Sequence, residues 1–262
     1  MKTAVALAVS LLLGMVCTTH LQADVIQWTG GAGDWDFMNP ANWDGGSLPA
    51  NNDYEDIAEF GGSATPGTVT NTNNRRINGI RFTSAGWTLQ GGFRYGKGLS
   101  SEGAGTNTIH DLFEAAGNRT WTVVAGNTLV ITGSAINHYD HNMTLSGGGV
   151  LHGTQRLDCA DWGGDRTFTI SDGVLRVDSD RPYQGGDNGV IHIGSENGYL
   201  ELQTDDVAAV ESLFGADIVD DTGLGLTATD MGEYVRVGAV PEPATLSLLV
   251  LAGGLAVTRR RR

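Results

Sequence analysis

Short runs of alternating apolar and polar residues cover most of the chain, and this alternation is typical of β-strands that bury one face. Four of these runs follow a turn residue, usually glycine, and their first leucines are 22, 24 and 25 residues apart: Leu129, Leu151, Leu175 and Leu200. A repeat length in the twenties indicates a solenoid whose coils each contribute short strands. We therefore predict an all-β solenoid, a β-helix, in which apolar side chains stack from coil to coil and glycine supplies the turns.

The pattern changes on either side of the repeats and once within the predicted β-helix region, residues 63–239. Residues 24–62 are rich in Trp, Asn and Gly, and we interpret them as an N-terminal cap over the first coil. The stretch from Thr204 to Phe214 places apolar side chains on one helical face, and Gly215 follows as a stop. It predicts a short C-terminal helix that covers an open end or flank. The alternative fold is a β-sandwich or jelly roll, which also joins short strands by frequent turns.

Two segments of the β region carry a family resemblance. Trp28-Thr-Gly-Gly with the later Asn42-Trp43, and the run from Thr120 to Leu129, are similar to sequences of secreted bacterial β-helix proteins. Over roughly residues 26–200 the pattern resembles the autotransporter-associated β-strand repeat. The resemblance implies a right-handed β-helix in an exported protein.

The N-terminal segment is typical of a secretory signal peptide over residues 1–23. Lys2 gives a positive start, residues 4–16 are apolar, and the small residue Ala23 precedes Asp24. We expect cleavage between Ala23 and Asp24 and export of the remaining chain.

The C-terminal segment, residues 240–262, combines a Pro-Glu-Pro motif, an apolar run over 244–258 and a terminal arginine cluster. As a helix the run would measure about 22 Å, short for a hydrocarbon core of ~30 Å, which favours a temporary transmembrane anchor. The arginines would stay on the cytoplasmic side. The motif is Pro241, Glu242 and Pro243, and the terminal cations are Arg259, Arg260, Arg261 and Arg262.

These three features in this order resemble the PEP-CTERM sorting tail of Gram-negative bacteria. The resemblance implies an exosortase-type membrane protease as partner, cutting near the Pro-Glu-Pro motif. The precursor would then be anchored transiently in the inner membrane, and the processed protein would reach the cell surface or the medium. An ordinary C-terminal membrane helix is the alternative.

The charge and cysteine content narrow the classes of partner. The chain has 16 basic and 30 acidic residues, and without residues 1–23 and 259–262 the balance is 11 to 30, a net charge of −19. Such a surface disfavours nucleic acid and anionic membranes as partners. Calcium binding is compatible with it, although no motif names a site, and we expect no cofactor. Cleavage after residue 23 would remove Cys17 and leave Cys159 without an internal disulfide partner.

The tryptophans of the cap region are the candidate binding residues. Indole faces stack on sugar rings, and nearby Asn and Asp side chains can hold hydroxyl groups. We therefore predict that these tryptophans form either a glycan contact, for example with exopolysaccharide, or an apolar plug over the first coil. They are Trp28, Trp35 and Trp43. The spacing of seven and eight residues suits both interpretations, and we favour the plug.

Other clusters of polar residues suggest chemistry less specifically. His138 and His141 suggest a metal site with His152 or Cys159, but we expect solvated loop histidines. Asp34 and Asp36 follow a glycine-rich turn, and we expect a polar turn there rather than a calcium loop. We predict no metal site and no catalytic residue.

An enzyme acting on polysaccharides, a lyase or glycosidase, is the alternative function. Such sites use two or three carboxylates, or a carboxylate with arginine, on neighbouring coils. The sequence offers two candidate sets, Asp158, Asp161 and Asp165 with Arg156 and Arg166, and Asp178 and Asp180 with Arg181. Both lie in turn-rich stretches where solvated charges are common, so we expect a non-catalytic structural or adhesive protein.

Overall fold

The computed structural model describes residues 23–52, 56–73, 75–115, 119–133, 136–137, 141–158, 166–183 and 189–240. Within these ranges the chain forms strands, two 3-10 turns at Pro40–Asn42 and Asp44–Gly46, and one helix, α1, at Val207–Glu211. The first strands are β1 (Asp24–Gln27), β2 (Asp56–Phe60), β3 (Thr68–Thr70), β4 (Arg76–Phe82), β5 (Thr88–Gln90), β6 (Phe93–Ser101), β7 (Gly105–His110), β8 (Leu112–Ala115), β9 (Arg119–Val123) and β10 (Asn127–Thr132). The later strands are β11 (Ile136–Asn137), β12 (Met143–Ser146), β13 (Val150–Gly153), β14 (Leu157–Asp158), β15 (Arg166–Ile170), β16 (Gly173–Val177), β17 (Gly189–Ile193), β18 (Gly198–Leu202), β19 (Ile218–Asp220), β20 (Leu226–Asp230) and β21 (Val235–Ala239).

The chain alternates between two long sheets, so that successive coils stack on one another. Sheet I has the order β1-β2-β4-β6-β9-β12-β15-β17-β19, with β8 pairing β6 at the side. Sheet II has the order β20-β21-β18-β16-β13-β10-β7-β5-β3, and β11 pairs β14 separately. Neighbouring strands are parallel except at β21, which is antiparallel to both β18 and β20. The prediction of an all-β solenoid is confirmed, and the sandwich alternative is wrong because sandwiches and jelly rolls pair their strands antiparallel.

The leucine repeat identified in the sequence forms one column of the core. Leu129 pairs with Leu151, Leu151 with Leu175, and Leu175 with Leu200, each in exact register across sheet II. All four side chains are fully buried. Burying a leucine side chain stabilises a fold by about 1.5–3 kcal/mol, and each of these leucines gains that burial from the coils next to it.

A buried polar ladder crosses the coils beside the apolar core. The Asn107 Nδ2 group donates to Ser101 Oγ at 3.0 Å, and Ser101 Oγ donates to Asn127 Oδ1 at 2.9 Å. Asn107 Oδ1 accepts from the Trp87 backbone N–H at 3.0 Å, and Asn127 Nδ2 donates to the Gly103 carbonyl. Since buried amides are costly unless they are hydrogen-bonded, this ladder fixes the turns between the two sheets. The sequence pattern had predicted only apolar stacking there.

An aromatic cluster closes the N-terminal end of the solenoid. The Trp28 and Trp43 rings meet edge to face with centroids 5.1 Å apart, and the Phe37 centroid lies 4.8 Å from Trp43. Phe60 and Phe93 continue the cluster into the first coils. The predicted N-terminal cap is therefore present, but residues 24–62 also supply β1 and β2, the first strands of sheet I.

The C-terminal end is closed by the antiparallel pair β20–β21 and by charged side chains. The Glu201 carboxylate, 2% exposed, accepts from Arg176 Nε at 2.6 Å and from Arg236 Nε at 2.9 Å. The Arg176 guanidinium lies 4.8 Å from the Tyr234 ring centroid, and Arg236 lies 5.2 Å from that of Tyr199. A buried carboxylate is tolerated here because two cations and their hydrogen bonds compensate its charge.

The predicted C-terminal helix is present but shorter than expected. α1 covers only five residues, and the Asp206 side chain caps its start by accepting from the Ala209 backbone N–H at 2.9 Å. Val210 is buried, and α1 packs against β20. The residues after α1 form turns, and Gly215 adopts a positive φ of 81°.

Several predicted features lie outside the described residues. These are the signal peptide as far as residue 22, the Pro-Glu-Pro motif, the apolar run 244–258 and the four terminal arginines. Ala23 is the first described residue, and Asp24 begins β1 and pairs with Asp56. Within the described ranges, no helix combines the length and apolar character required to cross a membrane.

Replacing Leu151 by Ala tests the stacked core. The change leaves a cavity between two neighbouring coils, and we expect the free energy of unfolding to fall by about 2–5 kcal/mol. The control is Thr128→Ala on β10, which removes a partly exposed side chain and should change stability by less than about 0.5 kcal/mol. Urea denaturation followed by circular dichroism measures both, and equal effects of the two changes would contradict the stacking account.

The surroundings of Tyr234 lead us to expect that the fold loses stability at alkaline pH. Burial, and then the Asp178 carboxylate that accepts from the Tyr234 hydroxyl at 2.8 Å, raise the pKa of Tyr234 to about 12. The fold favours the protonated phenol, so this stabilisation is complete below pH about 10 and is lost as the pH rises towards about 12. Denaturant titrations at increasing pH measure the free energy of unfolding of the wild type and of Tyr234→Phe. The advantage of the wild type should become smaller above pH about 10. A difference that stays constant through this range would contradict the assignment.

Candidate functional site

A polar pocket of about 250 Å³ lies at the N-terminal end of the solenoid, and we call it the Trp35 pocket. The loop after β1 forms one wall and the turn after β2 forms the other. Its volume is below the ~300–1,000 Å³ of typical drug-sized ligand sites, so it suits a single ring of a longer ligand. The lining residues are Trp28, Thr29, Gly30, Gly33, Asp34, Trp35, Ser63, Ala64 and Thr65.

Asn42 holds the loop that carries the pocket. Its Oδ1 accepts from the Ala32 backbone N–H at 2.9 Å, and its Nδ2 donates to Asp34 Oδ1 at 2.5 Å and to the Asp36 carbonyl at 3.0 Å. The Asn42 carbonyl also accepts from the Thr29 backbone N–H at 2.7 Å. Asn42 is fully buried, so the loop is fixed from within by one satisfied amide.

The Asp34 carboxylate sits in the pocket wall with both oxygens held by neutral donors. Asn39 Nδ2 donates to Oδ2 at 2.8 Å, and the Asp36 backbone N–H donates to Oδ1 at 3.1 Å, beside the bond from Asn42. The amide of Asn39, followed by that of Asn42, lowers the pKa of Asp34 below its ordinary value. Asp34 therefore presents a fixed negative charge to the pocket at neutral pH.

Trp35 presents its indole to solvent. Its side chain is 43% exposed, although indole rings are usually highly buried. Its backbone is fixed, because the Trp35 carbonyl accepts from the Thr70 N–H at 2.8 Å beside β3. The indole rests on Gly67: a Cβ atom at that position would lie within 2.3 Å of the ring, so only glycine leaves room for it.

The other two tryptophans have different surroundings. Trp43 is 2% exposed, and its Nε1 donates to the Phe37 carbonyl at 2.8 Å, so it offers no face to a ligand. Trp28 is 1% exposed and packs edge to face against Trp43, and its Nε1 is buried without an acceptor among the described residues. Of the three predicted glycan-contact residues, Trp35 therefore presents an exposed face, whereas Trp28 and Trp43 are core residues of the cap.

The pocket combines the groups that recognise a sugar ring. An exposed indole can pack against the apolar C–H face of the ring, and a carboxylate can accept hydrogen bonds from its hydroxyl groups. Ser63 and Thr65 also line the pocket, and their hydroxyls can donate or accept hydrogen bonds, whereas the Thr29 hydroxyl already donates to the Asn42 carbonyl at 3.0 Å. The sequence indicated the tryptophans, whereas Asn42, Gly67 and the turn after β2 were missed because only the fold brings them to the pocket.

Several of the other residues that suggested chemistry are engaged in structural contacts. Asp178 Oδ1 lies 2.8 Å from His152 Nε2 and accepts from Tyr234, and Asp180 accepts from Arg156 Nη2 at 3.1 Å. Asp36 Oδ1 caps the Met38 N–H at 2.9 Å. Within the described ranges no three His, Cys, Asp or Glu side chains are placed to share a metal ion. The following candidates lie outside those ranges: His138, Cys159, Asp161 and Asp165.

A second depression, of about 200 Å³, lies against sheet I. Its lining includes Ile57, Leu99 and Thr122, and no aromatic side chain is among its described lining residues. Arg81 at its side is bound by Glu102 at 2.9 Å and faces Glu59 at 3.4 Å. This depression lacks a stacking platform, so the Trp35 pocket is the better candidate for a glycan.

No family model, no curated protein and no solved structure matches this chain. What the Trp35 pocket can bind therefore follows from its own side chains. These are an exposed indole, a fixed carboxylate and the hydroxyls of lining residues. A fold alone would not assign a function, because one fold supports many.

Replacing Asn39 by Ala tests how the carboxylate is held. The change removes the donor to Asp34 Oδ2, so the pKa of Asp34 should rise towards its ordinary value. NMR titration of the labelled Asp34 carboxyl carbon measures it. In the wild type, the lowered pKa of Asp34 stabilises the fold above the pKa that Asp34 has in the unfolded chain. This stabilisation is lost as the pH falls through the pKa of Asp34 in the folded protein. The Asn39→Ala variant should therefore lose less of its free energy of unfolding over the same acidic range. If the NMR titration midpoint of Asp34 were the same in the variant and the wild type, the assigned hydrogen bond from Asn39 would be contradicted.

Proposed function

We propose that this protein is an exported, non-catalytic β-solenoid that serves as a structural or adhesive component at the cell surface or in the extracellular matrix, and that it contacts a polysaccharide through the Trp35 pocket. The observation that carries the proposal is the exposed indole of Trp35 beside the fixed carboxylate of Asp34. The exposed face of the Trp35 indole is apolar surface that water covers in the free protein. In contact with a sugar ring, the same surface becomes favourable.

The rigidity of the pocket supports binding without a conformational change. Trp35 is tied to β3 through its backbone, and Asn42 holds the opposite part of the loop. A ligand therefore does not have to order the loop when it binds, and the entropy cost of association is smaller. The pocket also sits at one end of a stacked scaffold, which suits contact with a long polymer.

The terminal segments and the charge support an extracellular location. The signal peptide predicted for residues 1–23 would direct export, and the tail 240–262 would be cut by an exosortase-type protease near Pro241, Glu242 and Pro243. Until that cut, residues 244–258 would anchor the chain transiently in the inner membrane. A net charge of −14 for the full chain favours solubility and disfavours nucleic acid as a partner.

Replacing Trp35 by Ala tests the glycan contact. The change removes the stacking surface, and truncating a Trp at the centre of an interface typically costs about 2 kcal/mol, or roughly 30-fold in Kd. We expect retention on a polysaccharide gel in affinity electrophoresis to be lost, while the unfolding midpoint stays within experimental error. Trp35→Tyr, which keeps an aromatic face, should retain part of the binding. If Trp35→Ala binds like the wild type, the proposal is wrong.

Two further variants separate binding from stability. Gly67→Ala keeps the indole but places a methyl group where the ring now rests, so it should weaken binding by displacing Trp35. Trp43→Ala removes a buried ring of the cap and should instead lower the free energy of unfolding by about 3–5 kcal/mol. Glycan binding that depends on Trp43 but not on Trp35 would contradict the division of roles.

The export proposal predicts the mass and location of the mature protein in its host. We expect an intact mass that corresponds to a chain starting at Asp24 and ending near Pro241, Glu242 or Pro243. Cell fractionation should find this form at the surface or in the medium, and the longer form in the inner membrane. A full-length chain that stays in the cytosol would refute it.

A further inference from the structure

We infer that the Trp35 pocket selects neutral or amino-bearing sugar units and discriminates against units that carry a carboxylate or a sulfate. This inference rests on the proposed glycan binding and adds the class of polysaccharide. It is carried by the position of Asp34 in the pocket, by its hydrogen bonds and by the side chains that share the pocket with it.

The Asp34 carboxylate cannot move away from an incoming ligand. Its Oδ1 accepts from Asn42 Nδ2 at 2.5 Å and from the Asp36 N–H at 3.1 Å, and its Oδ2 accepts from Asn39 Nδ2 at 2.8 Å. An ionised carboxylate can accept about four hydrogen bonds, so one acceptor position remains for a ligand. A sugar hydroxyl or ammonium group can donate to that position, whereas a second carboxylate cannot.

The charge of Asp34 is not neutralised in the pocket. All of its hydrogen-bond donors are neutral amides, and the described lining residues include no Lys, Arg or His. Two like charges about 5 Å apart repel each other by an amount worth roughly fourfold in affinity in bulk water, and more where the ligand displaces water. An acidic sugar would therefore bind with a penalty that a neutral sugar avoids.

Trp28 adds no donor for a ligand. Its Nε1 is buried without an acceptor among the described residues, and its ring packs against Trp43 and Phe60 in the cap. The selectivity therefore comes from the side of Asp34, where the preferred unit carries hydrogen-bond donors.

The experiment compares three β-linked oligosaccharides of equal length, built from glucose, glucosamine and glucuronate units. Isothermal titration calorimetry with the full-length chain gives their Kd values at low ionic strength and again in ~1 M salt. We expect the glucuronate oligomer to bind at least about fourfold more weakly than the glucose oligomer, and the glucosamine oligomer to bind at least as tightly. The differences should shrink in high salt.

Asp34→Asn should bring the three affinities together, whereas Asp44→Asn should leave the order unchanged. Both variants remove one negative charge from the same region, but Asp44 lies outside the pocket lining. Because Asp34→Asn also removes bonds from the loop, the salt dependence of the wild type provides an independent test. Equal or tighter binding of glucuronate would overturn this inference and leave glycan binding standing. If none of the three oligomers binds, or if binding ignores Trp35, the proposed function fails as well.

Discussion

Parallel stacking in register is the constraint on which this structure depends. Each coil supplies backbone partners and apolar cover for the next, so the leucine column from Leu129 to Leu200 is buried only because every member has neighbours above and below. The first and last coils lack one neighbour, and their apolar interior and open strand edges must be covered by other means. The aromatic cluster does this at one end, and the antiparallel strand β21 with Glu201 at the other.

The structures that close the two ends of the solenoid differ in which side chains they leave available to a ligand. At the C-terminal end the charges of Glu201, Arg176 and Arg236 satisfy one another. At the N-terminal end the loop that carries the cap also exposes Trp35 and a fixed carboxylate. The same loop therefore closes the fold and carries the proposed binding surface, with Trp43 serving the first role and Trp35 the second.

The sequence predicts those features that repeat along the chain. The spacing of the leucines places them in one column, because a parallel solenoid preserves register from coil to coil. It does not predict the buried ladder of Ser101, Asn107 and Asn127, since these polar residues occur once and look like turn residues until the coils bring them together. The sequence also does not distinguish Trp35 from Trp43, because their spacing fits an apolar plug and a sugar-binding surface equally well. Only the fold, which buries Trp43 and exposes Trp35, separates the two roles.

The order of the strands also sets where the pocket lies relative to the tail. Trp35 is attached beside β3, at one edge of sheet II, and Ala239 ends β21 near the other edge. Seven strand spacings of ~4.8 Å separate β3 from β21, roughly 34 Å along the stack. A chain anchored through residues 244–258, as proposed, would thus hold its glycan pocket well away from the attachment point. A solenoid suits this arrangement because its rigidity, set by stacked backbone hydrogen bonds, keeps that separation fixed without a linker.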